Sequence, residues 1–281
     1  MRLTHENHDR DLAGLTYIYP VVSRRAQGVS VGINLNPNNA CNFRCAYCQV
    51  PELVLGKAPE IDVERLIREL ESLLDWVLEG DFMEKVVPEG SRRLNDLAFS
   101  GNGEPTSAAE FDIIVQRVGE VMQRRGLLHK IKLVLITNGS LIHQAHVQRG
   151  LAHFNELGGE VWFKLDSATE AGQARINDFH AGLARVTENL TLCAGLAPTW
   201  IQSCALAMDG EAPSRDERDA LLGFLKARLA EGIQLQGVLL YGLARQSHQP
   251  EAPRLSALDE AWMESWGAEL RALGLEVRVS L

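Results

Sequence analysis

Three of the five cysteines stand within eight residues, with the spacing Cys41-x3-Cys45-x2-Cys48. Three thiolates on one short segment can bind three irons of a four-iron, four-sulfur cluster. A cluster bound wholly by protein takes four cysteines, and the remaining two, Cys193 and Cys204, are distant in the sequence. The simplest interpretation leaves one iron open to a small chelating ligand.

Two other interpretations of these cysteines stay open at this point. A structural zinc ion takes four ligands, so three cysteines need a histidine, and none lies within 30 residues on either side. Ordinary buried thiols would not need such close spacing. The odd number of cysteines argues against a disulfide framework. We expect Cys204 to be an inert buried thiol rather than a ligand or a hydrogen-atom donor.

A glycine-rich turn, SGNGEPT at 100–106, follows the second predicted strand. Two glycines and a proline surround Glu104, so the backbone of this turn can approach a ligand closely. A carboxylate in a pocket of low dielectric is a suitable partner for an ammonium group. The alternative is a plain strand-to-helix loop.

Polar residues also follow the later predicted strands. Asn138 comes after the third strand, at an Asn-Gly turn. Lys164 and Asp166 are two residues apart on the fourth strand, so both side chains face the same side. They form either a structural ion pair or part of a functional site. Arg245 follows the sixth strand, where it would hold a carboxylate or phosphate, or be a solvated loop arginine.

The cysteine spacing, with Tyr47 directly before the last cysteine, resembles the signature of the radical S-adenosylmethionine (SAM) superfamily. The resemblance implies a partial (β/α)6 barrel and a [4Fe–4S] cluster on Cys41, Cys45 and Cys48, with SAM chelating the open iron. It implies reductive cleavage of SAM to a 5′-deoxyadenosyl radical, which abstracts a hydrogen atom from the substrate. An electron donor such as flavodoxin or ferredoxin would be needed.

The resemblance also implies roles for the polar residues. Asn102-Gly103-Glu104-Pro105 is similar to a Gly-Gly-Glu-Pro turn of the family, which binds the methionyl amine of SAM. Asp166 would bind the ribose hydroxyls, and Lys164 the SAM carboxylate, the substrate or, as a Schiff base, a carbonyl compound. Lys164 and Arg245 are the catalytic candidates. The predicted cofactor-binding residues are Tyr47, Asn102, Gly103, Glu104, Asn138 and Asp166.

The layout resembles the branch of the superfamily that contains the wyosine-base tRNA enzymes and the glycyl-radical activases. Candidate reactions are therefore tRNA base modification and protein glycyl-radical activation, and the substrate is an RNA, a protein or a small molecule. The wyosine enzymes bind a second cluster through upstream cysteines, and no cysteine precedes Cys41. A non-enzymatic iron–sulfur electron carrier or sensor is the alternative.

The elements that position these residues alternate between strand and helix about six times. Such alternation predicts an α/β fold of parallel strands, either an open sheet or a (β/α) barrel, with ligands at the carboxyl ends of the strands. The resemblance favours the partial barrel. We expect a lead-in at 1–28, the barrel at 29–245, and a C-terminal helix with a short closing strand at 246–281. The strands are predicted at 29–35, 94–100, 131–137, 160–166, 200–208 and 233–242.

The composition is that of an ordinary globular protein, with 281 residues, 46% hydrophobic and 23% charged. A net charge of −9 disfavours nucleic-acid binding through bulk charge. No apolar stretch is long enough to span a membrane, so we expect no membrane partner. The polar N-terminus lacks the apolar segment of a secretory signal, which predicts a cytoplasmic protein.

Overall fold

The computed structural model describes residues 14–23 and 28–281 of the chain. One eight-stranded sheet lies at its centre, and the strands follow one another across the sheet in chain order. The first strand is antiparallel to the second, and all the others are parallel. The strands are β1 (Ile18–Ser23), β2 (Gly28–Ile33), β3 (Leu94–Phe99), β4 (Lys132–Thr137), β5 (Glu160–Lys164), β6 (Thr199–Ala205), β7 (Gly237–Gly242) and β8 (Glu276–Ser280).

Helices connect the parallel strands, as right-handed β–α–β crossovers require. The helices are α1 (Val63–Leu78), α2 (Phe82–Lys85), α3 (Phe111–Arg124), α4 (Ala145–Glu156), α5 (Glu170–Asn177), α6 (Leu183–Leu196), α7 (Arg215–Ala230) and α8 (Glu260–Arg271). Short 3-10 turns occupy Glu89–Ser91, Pro105–Ser107 and Ala252–Arg254. The predicted α/β class with a mostly parallel barrel sheet is confirmed.

The sheet is held by apolar side chains packed between its outer face and the helices. Every residue of β2 and β6 is buried, as expected for strands covered on both faces. The rings of Phe99, Phe111 and Phe154 are fully buried and meet with centroids 5.4–6.3 Å apart, joining β3 to α3 and α4. This layer packs α3 and α4 against Phe99, the last residue of β3, and the candidate site begins directly after it.

Strand β1, the short helix α2 and helix α5 were not predicted. Strand β1 lies in the segment predicted as a lead-in, and its antiparallel pairing adds an edge to the sheet. A single helix was predicted at 180–195, but the structure has two, α5 and α6. Helix α5 escaped prediction because half of its buried residues are the amides Gln173 and Asn177, which leaves no apolar stripe.

The C-terminal segment continues the same architecture. Strand β8 pairs with β7 in parallel, as the predicted closing strand would, and α8 packs against both. Two short strand pairs lie outside the main sheet: Ala40–Cys41 with Val54–Leu55, and Ala207–Met208 with Leu255–Ser256. The division into three segments stays a prediction. The polar residues 1–13, on which the cytoplasmic assignment depends, lie outside the described residues.

Candidate active site

The three clustered cysteines lie on the loop after β2, at the carboxyl end of the barrel strands. Their side chains line one cavity together with nearly all the residues predicted from the later strands. Asp166 is the exception, since it lies behind Tyr47 and not on the cavity wall. The predicted residues that do line the cavity are Cys41, Cys45, Tyr47, Cys48, Asn102, Gly103, Glu104, Asn138, Lys164 and Arg245.

The three thiols are free and half-buried. Burial raises the pKa of Cys41 to about 12 and that of Cys45 to about 11, so a thiolate at either position needs a bound cation to stabilise it. Among the described residues, no three His, Cys, Asp or Glu side chains converge on a point that would hold one metal ion. The cysteines of a cubane each bind a different iron, so they do not need to converge on one point.

The cysteine loop is fastened to the barrel from two sides. On one side, the backbone N–H groups of Arg44 and Ala46 donate to carbonyls at the end of α5. On the other, the buried Ser247 hydroxyl donates to the Ala46 carbonyl at 2.7 Å, and the His248 N–H donates to the Cys48 carbonyl at 2.9 Å. These hydrogen bonds hold the cysteine loop in place through its backbone.

Glu104 joins the ends of β3 and β4. Its carboxylate is only 2% exposed and accepts hydrogen bonds from the Thr106 N–H and hydroxyl, the Thr137 hydroxyl and the Asn138 N–H. Burial raises the pKa of Glu104, although these hydrogen bonds oppose the shift. The carboxylate is therefore desolvated and fixed at the cavity wall, which is an environment suited to an incoming ammonium group.

Gly103 allows the turn to lie against the cysteine loop. A Cβ atom at this position would stand 1.9 Å from the Ala40 carbonyl oxygen, directly before Cys41. Two buried asparagines hold the same contact, because Asn34 accepts from the Asn102 N–H and Asn36 donates to the Ala40 carbonyl. The close backbone approach predicted for this turn is made with the protein's own loop.

Asn102 leaves one polar atom unsatisfied. Its amide nitrogen donates to Asn39 at 2.6 Å, while its Oδ1 is buried and has no hydrogen-bond partner. Buried acceptors of this kind call for a ligand or an ordered water. Because Asn102 and Glu104 both line the cavity, two acceptors on one turn are available for a donor group of a ligand.

Asn138 is tied to the cysteine loop. Its side-chain nitrogen donates to Asn42 at 2.8 Å, and its oxygen accepts from the Ser140 N–H and hydroxyl. Asn42 in turn donates to the Ser140 hydroxyl. Asn138, one of the predicted cofactor-binding residues, therefore links the end of β4 to the segment between the first two cysteines.

Asp166 supports the site from behind Tyr47. Its carboxylate accepts from the Tyr47 hydroxyl, from the Asn177 side chain at 2.7 Å and from the Cys204 N–H at 2.8 Å. Burial first, and then the Asp166 charge, raise the pKa of Tyr47 well above its ordinary value. Its phenol therefore stays protonated and donates to the carboxylate.

Lys164 lies inside the barrel between two tyrosines. Its ammonium donates to the Tyr241 hydroxyl at 3.0 Å rather than to Asp166, and it stands 4.7 Å from the centre of the Tyr47 ring. Burial opposes the charged form, yet Tyr241, Asp166 and Cys45 hold the pKa of Lys164 well above its ordinary value. An ammonium with further donors toward the cavity is suited to an anionic ligand group.

The remaining candidates occupy the rim and the wall. Arg245 lines the cavity after β7, and its backbone carbonyl accepts from Gln49 at 3.4 Å. Cys204 is buried, as predicted, although one edge of it reaches the cavity. Cys193 is far from the site, in α6, where it contacts Thr199 in the core.

Several contributors to the site were not predicted. The asparagines of the segment NPNNACN were visible as a polar run before and within the cysteine motif, a composition that favours turns. Ser247 and Tyr241 gave no such signal because their partners are distant in the sequence. The contributors missed are Asn34, Asn36, Asn42, Thr137, Asn177, Tyr241 and Ser247.

A comparison with protein families identifies the fold and its motif. The model of the radical SAM superfamily matches residues 35–217, which is more than half of the chain and includes all three clustered cysteines. The chain belongs to the radical SAM superfamily. Members of this superfamily are enzymes that use a [4Fe–4S] cluster and SAM, so the membership favours the iron–sulfur interpretation over zinc.

Curated relatives include UPF0026 proteins. One from Helicobacter pylori is 25% identical over 239 residues, covering 84% of this chain and 68% of the relative. Another, UPF0026 protein MJ1312 from Methanocaldococcus jannaschii, is 32% identical over 164 residues, covering 58% of this chain and 44% of the relative. The alignment thus spans about two thirds of the first relative and less than half of the second.

Two solved structures share the fold. A radical SAM methyltransferase from Sphaerobacter thermophilus has a TM-score of 0.60 at 13% identity, covering 90% of this chain and 66% of that one. A structure of TYW1 with a lysine-pyruvate adduct bound has a TM-score of 0.52 at 15% identity, covering 88% and 74%. TYW1 is a wyosine synthase, so the predicted resemblance to that branch holds for the fold.

The residues of this chain fit the cofactors of the superfamily. Three free thiols line one cavity, and the neighbouring turn lines it with Glu104 and with Asn102, whose buried oxygen has no hydrogen-bond partner. Thiolates suit iron–sulfur clusters, and two buried acceptors suit the amino group of SAM. Separately, none of the helices in the described part of the chain is long and apolar enough to cross a lipid bilayer.

Proposed function

We propose that this protein reductively cleaves SAM at a [4Fe–4S] cluster held by Cys41, Cys45 and Cys48. The observation that carries the proposal is the meeting, in one cavity, of three free thiols and a desolvated carboxylate at Glu104. When bound, the cluster would supply one electron to SAM, whose carbon–sulfur bond would break to give methionine and a radical able to abstract hydrogen from a substrate.

The other side chains would bind and orient the cofactor. Glu104 and Asn102 would accept from the methionyl amine, because both are buried acceptors on the cavity side of one turn. Lys164 would donate to a carboxylate of SAM or of the substrate. Asn138 would lie near the ribose. Asp166 would act indirectly, by fixing Tyr47, since it lies behind Tyr47 and does not line the cavity.

Lys164 is better suited to electrostatic binding than to covalent catalysis. A Schiff base forms from a neutral amine, whereas the surroundings of Lys164 stabilise its ammonium. A lysine-pyruvate adduct is present in the TYW1 structure, but we do not extend it to this chain. Pyruvate followed by borohydride should leave Lys164 unmodified, as read by peptide mass spectrometry, and a stable adduct there would reverse this assignment.

The reaction requires a one-electron reductant, for which we propose a flavodoxin or ferredoxin. For the substrate, protein glycyl-radical activation and tRNA base modification are the candidates. The net charge of −9 disfavours RNA binding through bulk charge. This observation favours the protein substrate.

Anaerobic assay of the reconstituted and reduced protein tests the proposal. Wild type should release 5′-deoxyadenosine from SAM, as detected by mass spectrometry, and Cys45→Ala should not. Cys193→Ala is the matched control, because that thiol is buried in the core away from the cavity, and it should behave as wild type. A cluster without SAM cleavage in the presence of reductant would favour the electron carrier, and bound zinc without iron would contradict the proposal.

A further inference from the structure

The side chain of Asn177 bridges the cysteine motif and the carboxylate behind it. Its Nδ2 lies 3.3 Å from the Cys45 sulfur and 2.7 Å from Oδ2 of Asp166. A carboxylate only accepts hydrogen bonds, so the atom facing Asp166 must be the amide nitrogen, and the orientation of the amide is settled. One N–H is directed to Asp166, which leaves the other for the sulfur.

This amide cannot easily turn away. Asn177 is 6% exposed and is the last residue of α5. The carbonyls of Ile176 and Asn177, which a helix end leaves without internal partners, accept from the N–H groups of Ala46 and Arg44 at 2.7 and 3.2 Å. The end of α5 and the cysteine loop therefore satisfy each other's backbone hydrogen bonds. These backbone contacts hold the Asn177 side chain against Cys45.

A donor held against a cluster sulfur changes the redox chemistry of the cluster. Reduction adds negative charge to the cluster and its thiolates, so an N–H directed at a ligand sulfur stabilises the reduced state and raises the potential. Nothing in the cysteine spacing specifies this contact. We propose that Asn177 raises the reduction potential of the [4Fe–4S] cluster through its N–H to the Cys45 sulfur, with Asp166 fixing the amide. This inference rests on the proposed function.

Substitution by alanine isolates the side-chain contact. Asn177→Ala removes both amide hydrogen bonds but keeps the backbone carbonyl that holds Arg44. The control is Gln173→Ala, on the same helix: this amide is equally buried and donates to the Ser167 carbonyl, away from the cysteines. Reconstituted proteins are titrated anaerobically without SAM, and the reduced cluster is followed by electron paramagnetic resonance.

We expect Asn177→Ala to have a more negative midpoint potential than wild type, and Gln173→Ala to match wild type. Equal potentials in Asn177→Ala and wild type, at equal iron content, would overturn the proposal. If Asn177→Ala holds no cluster, Asn177→Leu keeps the size and removes the donor; its potential should be more negative than that of wild type, and an unchanged or higher value would overturn the proposal. A wild type without a [4Fe–4S] signal would instead refute the proposed function itself.

Discussion

The carboxylate of Glu104 accepts a hydrogen bond from the backbone N–H of Asn138 at 2.7 Å. This hydrogen bond joins the ends of two adjacent barrel strands inside the candidate cofactor site. The same carboxylate accepts from Thr106 and Thr137. One buried carboxylate thus shapes the turn, and in the proposed function it would also accept from the amine of SAM. The cost of burying its charge can be measured by changing the pH.

The difference in stability between wild type and Glu104→Gln should depend on pH, because the Glu104 carboxyl is buried. Because burial raises the pKa of Glu104 in the folded protein, the folded state binds the proton more tightly than the unfolded state. Wild type should therefore gain stability relative to Glu104→Gln as the pH falls through the folded pKa, until the ordinary value near 4.5 is passed. Thermal unfolding of both ligand-free proteins at several pH values checks this, and a constant difference would contradict it.

Gly103→Ala should disturb the cysteine loop. The added Cβ would lie 1.9 Å from the Ala40 carbonyl, which belongs to the backbone and cannot rotate away. We expect a loss of about 3 kcal/mol in the free energy of unfolding and reduced iron binding after reconstitution. Gly223→Ala is the control: it lies in α7 with nothing within 4 Å, and should stabilise the protein by about 0.5–1 kcal/mol. Equal effects of the two changes would refute this assignment.

Ser247→Ala should cost more than Arg44→Ala. The buried Ser247 hydroxyl donates to the carbonyls of Ala46 and Cys48. The Cys48 carbonyl keeps the His248 N–H as a partner, and leaving the Ala46 carbonyl unsatisfied costs about 1–2 kcal/mol. Arg44 pairs with Glu251 on the surface with its side chain 36% exposed, a contribution of about 0.5 kcal/mol. Denaturant unfolding ranks the two variants, and loss of iron to a chelator should be faster in Ser247→Ala. The reverse order would show that the surface pair holds the loop.

Lys164→Met should show whether the Lys164 ammonium binds SAM, because the cluster should stay in place in this variant. Removing a buried ammonium that donates to Tyr241 should leave the cluster in place, because no cysteine loses a hydrogen bond. If the ammonium binds the SAM carboxylate, the affinity for SAM should fall about tenfold or more, the value of a charged hydrogen bond. Calorimetric titration of the reconstituted protein measures this. Unchanged affinity would assign Lys164 to the substrate instead.

The parts of the fold that could be predicted depend on local patterns. Each of these patterns lies within about ten residues: the cysteine spacing, the glycine-rich turn and the apolar strands. The structure places the cysteines and the turn together at one end of the barrel. The strand β1 was missed because its pairing is visible only once β2 is in place. Helix α5 was missed because Gln173 and Asn177, four residues apart, form a polar buried face.

The roles of individual residues were harder to predict than their location. Lys164 and Asp166 were expected to face the same side because alternate strand residues share a face, either as an ion pair or within a functional site. The structure gives each of them a different partner: Tyr241 for Lys164 and Tyr47 for Asp166. Asn177 could not have been predicted, since its contact with Cys45 spans 132 residues. Long-range partners of this kind follow from the fold and leave no mark in the local sequence.

The bond from Ser247 to Ala46 crosses 201 residues of sequence. During synthesis the cysteine motif leaves the ribosome long before the segment that fastens it, roughly 10–40 s earlier at ordinary elongation rates. In that interval three thiols would be exposed on an incomplete barrel. We expect the loop to take its observed shape only after Ser247 has been made, and cells depleted of iron–sulfur assembly factors should then accumulate folded protein without iron.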